Sequence, residues 1–379
     1  MRIQIDGTGT HNKGAELMLY AVLQEIERKY PDAEVLYNRI GEDSSYIQTN
    51  LKFHTRPFSK KIIPILNQLR VLGVLRILRI HYSFLTAKFP MQGIDVVLDA
   101  GGFQFGDQWN RNNDRVDLVR NYYRKLKRNG AKIIFLPQAF GPFQTENAQK
   151  IAKIISQYAD IIFAREKVSY DYLIGAGVDA SKVKLYPDFT AIVDGVVPKQ
   201  YKSLKDGVCI IPNEKMLSKG NLSQKQYISV LCEIVKTIQQ QGKVPFLLNH
   251  EGHLDASLCQ VISRELNNTI TVVDNLTALE VKGVISQSYM VISSRFHGVA
   301  SALSSGVPCL ATSWSHKYAE LFKDYDQTEC VLDFNDVDKT IEQINHCILN
   351  HSIISEQLRL EKEAIVKKNM EMWEICWSI

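Results

Sequence analysis

Short apolar runs alternate with helix-period segments along almost the whole 379-residue chain. This alternation restricts the fold more than any other feature of the sequence. In the first half the runs cover residues 2–5, 34–38, 95–98, 132–136, 161–164 and 183–185. In the second half they cover 208–211, 244–249, 270–273, 290–292, 309–312 and 330–332. Between them apolar residues recur at helical spacing, as over 15–29, 116–129, 147–158, 224–240, 256–266 and 278–286. A strand that is apolar on both faces must be covered on both faces, and helices between consecutive strands make the parallel crossover the natural connection. The expected class is α/β with parallel sheets.

A polar stretch with a proline and several lysines, 194–206, separates the two sets of strands. The chain is long for one core and comfortable for two domains. The expected organisation is GT-B-like, with two Rossmann-like domains. The N-terminal one spans 1–195, and the C-terminal one spans 206–335. Two helices over 336–379 cross back to the first domain by fold analogy. Ligands in open parallel sheets bind beyond the carboxyl ends of the strands, so the two sheets are expected to face one interdomain cleft.

Net charge is +4, from 45 basic and 41 acidic residues. That imbalance gives no argument for nucleic-acid binding and suits an anionic small molecule or an anionic surface. The seven cysteines are scattered without a CxxC pair and read as reduced, buried thiols. Residues 1–6 read as a first strand rather than a signal-peptide core, and no apolar run is long enough to span a bilayer. A cytoplasmic protein is expected. One window stands apart: 44–94 holds no acidic residue but eight cations, interleaved with leucine and isoleucine. The insertion at about 52–90 fits a helical addition with a basic face, and equally contact with an anionic membrane on the inner face, each near-surface cation adding about 1 kcal/mol.

Several strand tips carry polar residues. The loop after the first strand, Asp6-Gly-Thr-Gly-Thr-His-Asn-Lys-Gly-Ala-Glu16, has neither the G-x-G-x-x-G nor the P-loop spacing. It leaves backbone N–H groups at a helix start, with His11, Asn12, Lys13 and Glu16 available to hold substrate. Asp99-Ala-Gly-Gly102 ends another strand, and its paired glycines allow close approach to a ligand. Gln138 and Arg165 come directly off two more strands. In the second half, His250 and Glu251 follow a strand within Leu247-Leu-Asn-His-Glu-Gly-His-Leu-Asp255, a spacing that is weak for a metal and better suited to lining a substrate. Asp336-Val-Asp338 resembles a metal-binding DxD, but a helix cap explains it better.

The most informative stretch runs from Ser293 to Pro308. A strand hands over at Ser294-Arg-Phe-His-Gly298 to a helix of small residues. Unpaired N–H groups at such a helix start favour phosphate or carboxylate. Arg295 adds a fork that grips either anion, and His297 adds the side chain best suited to moving a proton near neutral pH. The plainer alternative is a buried histidine holding the loop, with Arg295 paired to a neighbouring acid.

These residues resemble the polysaccharide pyruvyl transferase family. The resemblance keeps its order through Asn12-Lys-Gly-Ala-Glu16, Asp99-Ala-Gly-Gly102, Leu136-Pro-Gln138, Ala164-Arg-Glu166, Pro187-Asp188, Ser294-Arg-Phe-His-Gly298 and Gly306-Val-Pro308. It implies a GT-B fold and transfer of pyruvyl from phosphoenolpyruvate to a sugar, normally as a ketal bridging two hydroxyls. It implies His297 as catalytic residue; a base must also take the hydroxyl proton, and Asp99, then Glu16, is expected in that role. Arg295 and Arg165 are implied as donor-binding residues, with Gly298, Ser294 and Gln138 beside them. His11, Asn12, Lys13 and His250 remain for the acceptor. No cofactor and no metal are expected, because arginines can stabilise the departing phosphate. The expected partners are phosphoenolpyruvate, a sugar or lipid-linked oligosaccharide and an anionic membrane surface, with no nucleic acid. Two other readings stay open: a sugar-nucleotide-dependent GT-B glycosyltransferase, and a non-catalytic component of a membrane-associated glycan assembly complex.

Overall fold

The structure, a computed structural model, describes residues 1–10, 12–37, 93–218, 222–312 and 317–379. His11 and the basic segment 52–90 lie outside the described residues. The chain divides into two units. The first comprises Met1–Thr10, Val22–Leu185 and Ile375–Ile379; the second comprises His11–Ala21 and Tyr186–Glu374.

The first unit is built on strands β1 (Arg2–Asp6), β2 (Glu34–Tyr37), β3 (Val96–Asp99), β4 (Lys132–Gln138), β5 (Ile161–Ala164) and β6 (Val183–Leu185). They form one parallel sheet in the order β2-β1-β3-β4-β5-β6. The second unit holds β7 (Val208–Ile211), β8 (Pro245–Leu248), β9 (Thr271–Val273), β10 (Met290–Ser293), β11 (Cys309–Thr312) and β12 (Val331–Leu332). These form a second parallel sheet in the order β12-β11-β10-β7-β8-β9.

Alternation of side chains along each strand builds a core on both faces of the second sheet. Cys209 and Ile211 of β7 join one apolar cluster, with Phe246, Val291 and Ala311. Val208 and Ile210 of the same strand join another, with Leu247, Met290 and Leu310. In the first unit Val97, Ile133, Phe135 and Ile162 form the corresponding cluster on one face.

Polar caps fix where the helices begin. Asn12 caps α1 (Lys13–Lys29) by accepting from the N–H groups of Gly14 at 2.8 Å and Ala15 at 3.2 Å. Ser223 and Gln226 form a capping box at Gln224–Gln240, and Thr277 and Glu280 form another at Ala278–Ser286. Asp336 caps Val337–Leu349 through the N–H of Lys339, so the DxD is a helix start. The final helix is His351–Trp377. Among the described residues, no helix is long and apolar enough to cross a membrane.

The strand order places two switch points. In the first sheet the chain leaves β1 on one side to β2 and returns on the other to β3. In the second it leaves β7 toward β8 and β9 and returns on the other side at β10. Crevices at such points lie beyond the carboxyl ends of the diverging strands, where parallel sheets bind ligands.

Candidate functional site

In the first unit, Asp6 ends β1 and Asp99 ends β3, and the two stand in register as direct neighbours. Asp99 is buried and accepts from Gln104 Nε2 at 2.5 Å, Gln138 Nε2 at 3.1 Å, the Gly101 N–H at 3.1 Å and the Tyr123 hydroxyl at 3.2 Å. Asp6 accepts from Gln4 Nε2 at 2.8 Å and from the Tyr122 hydroxyl. Burial, and then the Asp6 charge beside it, push the Asp99 carboxyl up to about 7 against the opposing effect of its hydrogen bonds. Gly7, at φ +75°, must lack a side chain, since a Cβ there would stand 2.7 Å from Asp99 Oδ1.

Gln138 is fully buried, and its Oε1 has no hydrogen-bond partner among the described residues. Arg165 is buried too, with its Nε 3.5 Å from Glu166. Glu166 in turn accepts from the Ser169 hydroxyl. This is the ion-paired setting in which a single strand-tip arginine is commonly found.

In the second unit, the turn after β10 leads into α2 (Phe296–Ser304). Ser294 turns inward. Its hydroxyl lies 2.8 Å from that of Tyr227 and 2.5 Å from that of Thr312. Its carbonyl accepts from Asn213 Nδ2 at 2.7 Å and the Tyr318 hydroxyl at 2.9 Å. Gly298 also faces the sheet: a Cβ would come within 2.5 Å of Ser293 Oγ and 3.0 Å of Ile211. Both residues therefore fix the turn and bring the small-residue helix onto β7 and β10.

Arg295 is held by two carboxylates. Asp255, fully buried, accepts from Nε and Nη2, each at 2.7 Å. Glu251, more exposed, accepts from Nη1 at 2.5 Å and from Asn12 Nδ2 at 3.0 Å. The acid-paired alternative for Arg295 is thus what the resting geometry displays.

His297 packs edge-on against Phe296 and presents Nε2 to Asp188 Oδ2 at 3.8 Å. Its ring lies over Gly14. A Cβ on Gly14 would fall 2.1 Å from Nδ1 and 2.5 Å from Cγ, so only glycine fits at that position. Lys13 pairs with Glu16 at 2.9 Å, and the buried Glu16 also accepts from the Ala278 N–H at 3.3 Å. His250 is buried, and its Nδ1 has no hydrogen-bond partner among the described residues. Burial, followed by the nearby charges of Arg295, His297 and Lys13, holds its imidazole well below the usual histidine range, and thus neutral.

The β7/β10 switch point therefore gathers Lys13, His250, Arg295 and His297. Sequence reasoning gave Asp6 no role, read Glu251 and Asp255 only as part of a substrate-lining loop and not as partners of Arg295, and named Asp188 without a role. Asp6 carried a usable signal, a carboxylate at a strand tip directly before Gly7. The partners of Arg295, 40 and 44 positions away, carried none.

Two parallel, helix-covered sheets with polar strand tips at their switch points define a GT-B-like α/β fold. Within that class the chain belongs to the polysaccharide pyruvyl transferase family, whose model matches residues 12–316. It is 20% identical to the amylovoran biosynthesis protein AmsJ of Erwinia amylovora, over 97% of each chain. In fold it is similar to a UDP-GlcNAc 2-epimerase from Neisseria meningitidis bound to UDP-GlcNAc (TM-score 0.64, 12% identity, 100% of both chains). It is likewise similar to Anabaena Alr3699/HepE in complex with UDP and glucose (TM-score 0.63, 13% identity, 100% of this chain and 99% of that one). At these identities the structural likeness is one of fold. Family membership makes the protein a transferase of polysaccharide biosynthesis.

Proposed function

We propose that the protein transfers pyruvyl from phosphoenolpyruvate to hydroxyls of an exopolysaccharide, capsule-type or lipid-linked glycan, forming a pyruvate ketal and releasing phosphate. The observation that carries this reading is one helix start where His297 and Arg295 stand with Lys13 and the neutral His250. Family membership and the similarity to an amylovoran biosynthesis protein support it.

The chemistry follows from these residue types. His297, as imidazolium, protonates the methylene carbon of phosphoenolpyruvate and leaves C2 electron-poor. A sugar hydroxyl adds there, forming one C–O bond and losing its proton to a carboxylate. The C2–O bond to phosphate breaks, a second hydroxyl closes the ketal, and its proton leaves with phosphate. Asp99, with its carboxyl near neutrality, has the basicity to take the hydroxyl proton; Glu16 is the second choice.

Arg295 is the proposed donor grip. Asp255 orients its guanidinium from the buried side, and the donor exchanges with the more exposed Glu251 at Nη1. Arg165 and Gln138 are further donor-side residues, while Ser294 and Gly298 serve that side by fixing the turn. His250, held neutral by burial and by the charges around it, remains proposed for the acceptor. His11, Asn12 and Lys13 remain proposed for the acceptor. The cationic side chains supply the charge stabilisation for the departing phosphate, so no metal or cofactor enters this scheme. A lipid-linked acceptor and the basic composition of segment 52–90 support contact with the inner, anionic membrane face.

His297→Ala is expected to leave folding intact and to lower phosphate release from phosphoenolpyruvate in the presence of acceptor by at least ~10²-fold. Near-normal turnover by the folded variant removes His297 from this role.

A further inference from the structure

The Pro187-Asp188 pair leads into a short 3-10 turn, Phe189–Ile192, that does more than connect elements. Asp188 is buried. Its Oδ1 accepts from the Thr190 N–H at 2.9 Å and the Thr190 hydroxyl at 2.5 Å, and its backbone carbonyl accepts from Asn369 Nδ2 at 3.1 Å. Its other carboxylate oxygen, Oδ2, lies 3.8 Å from His297 Nε2. Behind the turn the Lys282 amine, itself buried, donates to the Thr190 carbonyl at 2.8 Å. Burial pulls that amine down to about 8 even though Asp188 acts to raise it. Gly14 lies under the imidazole and has no side chain to displace the ring.

We propose that Asp188 is the positioning residue of His297: its carboxylate fixes the imidazole with Nε2 inward, favours the imidazolium, and leaves Nδ1 as the nitrogen that passes the proton. The groups around the ring decide the sign. Asp188 is the carboxylate paired with it. The buried Lys282 also acts electrostatically on Asp188, although burial disfavours its charged form. His250 is held neutral by burial. Lys13 and Arg295 are each matched by their own carboxylates, Glu16 for the first and Asp255 with Glu251 for the second. An opposite charge within about 4–6 Å favours the charged form of its neighbour. Loss of the Nδ1 proton leaves the neutral Nε2–H tautomer, whose remaining N–H still faces Asp188.

The catalytic meaning of this arrangement rests on the proposed pyruvyl transfer; the titration does not. The test is therefore made first on the unliganded full chain. The His297 ring signals, identified by their absence in His297→Gln, are followed by NMR against pH in the wild type and in Asp188→Asn. Asparagine keeps an oxygen for the Thr190 N–H. The midpoint is expected to fall by about one pH unit in the variant. An unchanged midpoint overturns the proposal. Should the variant fail to fold, the wild type alone decides, because ring nitrogen shifts report the neutral tautomer. Nε2–H is expected, and Nδ1–H overturns the assignment. In turnover, the alkaline limb of the pH profile should move to lower pH in Asp188→Asn. A shifted titration in a protein that never uses phosphoenolpyruvate leaves Asp188 in place and discards the proposed reaction.

Discussion

At the scale of single residues, the two switch points treat their charges differently. Arg295 is balanced by Asp255 and Glu251, so its charge is already compensated before any donor arrives. Asp99 is not balanced. It is buried beside another carboxylate, and hydrogen bonds from Gln104, Gln138, Tyr123 and Gly101 compensate only part of that cost. A carboxyl raised from 3.8 to about 7 favours the folded state while it is protonated. That contribution is complete below pH 4 and is lost as pH rises through 7. At pH 8 the loss is on the order of 4 kcal/mol, at 1.36 kcal/mol per pKa unit. Asp99→Asn should therefore gain unfolding free energy relative to the wild type between pH 4 and 8. Denaturant titrations at several pH values measure the difference, and parallel pH dependences for the two proteins would contradict it.

At the scale of elements, the strands were legible because each apolar run is bounded by polar or glycine-containing turns. Ile161–Ala164, Val183–Leu185, Val208–Ile211 and Cys309–Thr312 have the ends read from the sequence. Helix starts were less legible where a cap sits outside the apolar pattern. Gly252–Glu265 begins four residues before the periodic segment at 256, and Lys13–Lys29 begins at its Asn12 cap rather than at Ala15. The strand-tip residues of the candidate site could be named one by one because each follows an apolar run directly. Their partners could not, since pairing across a sheet depends on register and strand order. Gly14 illustrates this: its sequence context suggests a turn, whereas its reason is the His297 ring above it. Gly14→Ala should cost about 1–3 kcal/mol in stability, the usual range for overpacking. It should also lower turnover at least about tenfold by displacing the imidazole. Thermal melts and phosphate release read both effects, and a folded variant with normal turnover would show that the ring position is not critical.

At the scale of the whole molecule, family membership and the GT-B-like fold agree with a transferase that works on polysaccharide, and each sheet carries its own polar switch point. The basic, acid-free segment belongs to this scale as well, because the contact proposed for it is attachment rather than chemistry. Cosedimentation with anionic liposomes is expected to fall when Arg70, Arg76 and Arg79 are changed to Gln, with phosphate release from a water-soluble acceptor unchanged. Equal sedimentation of variant and wild type would remove the membrane from the account. The central claim is the ketal itself. Mass spectrometry of a glycan or lipid-linked sugar after incubation with the protein and phosphoenolpyruvate should show a gain equal to pyruvate less water, dependent on His297. A glycan that remains unchanged with phosphoenolpyruvate but gains a hexose from a nucleotide sugar would contradict it.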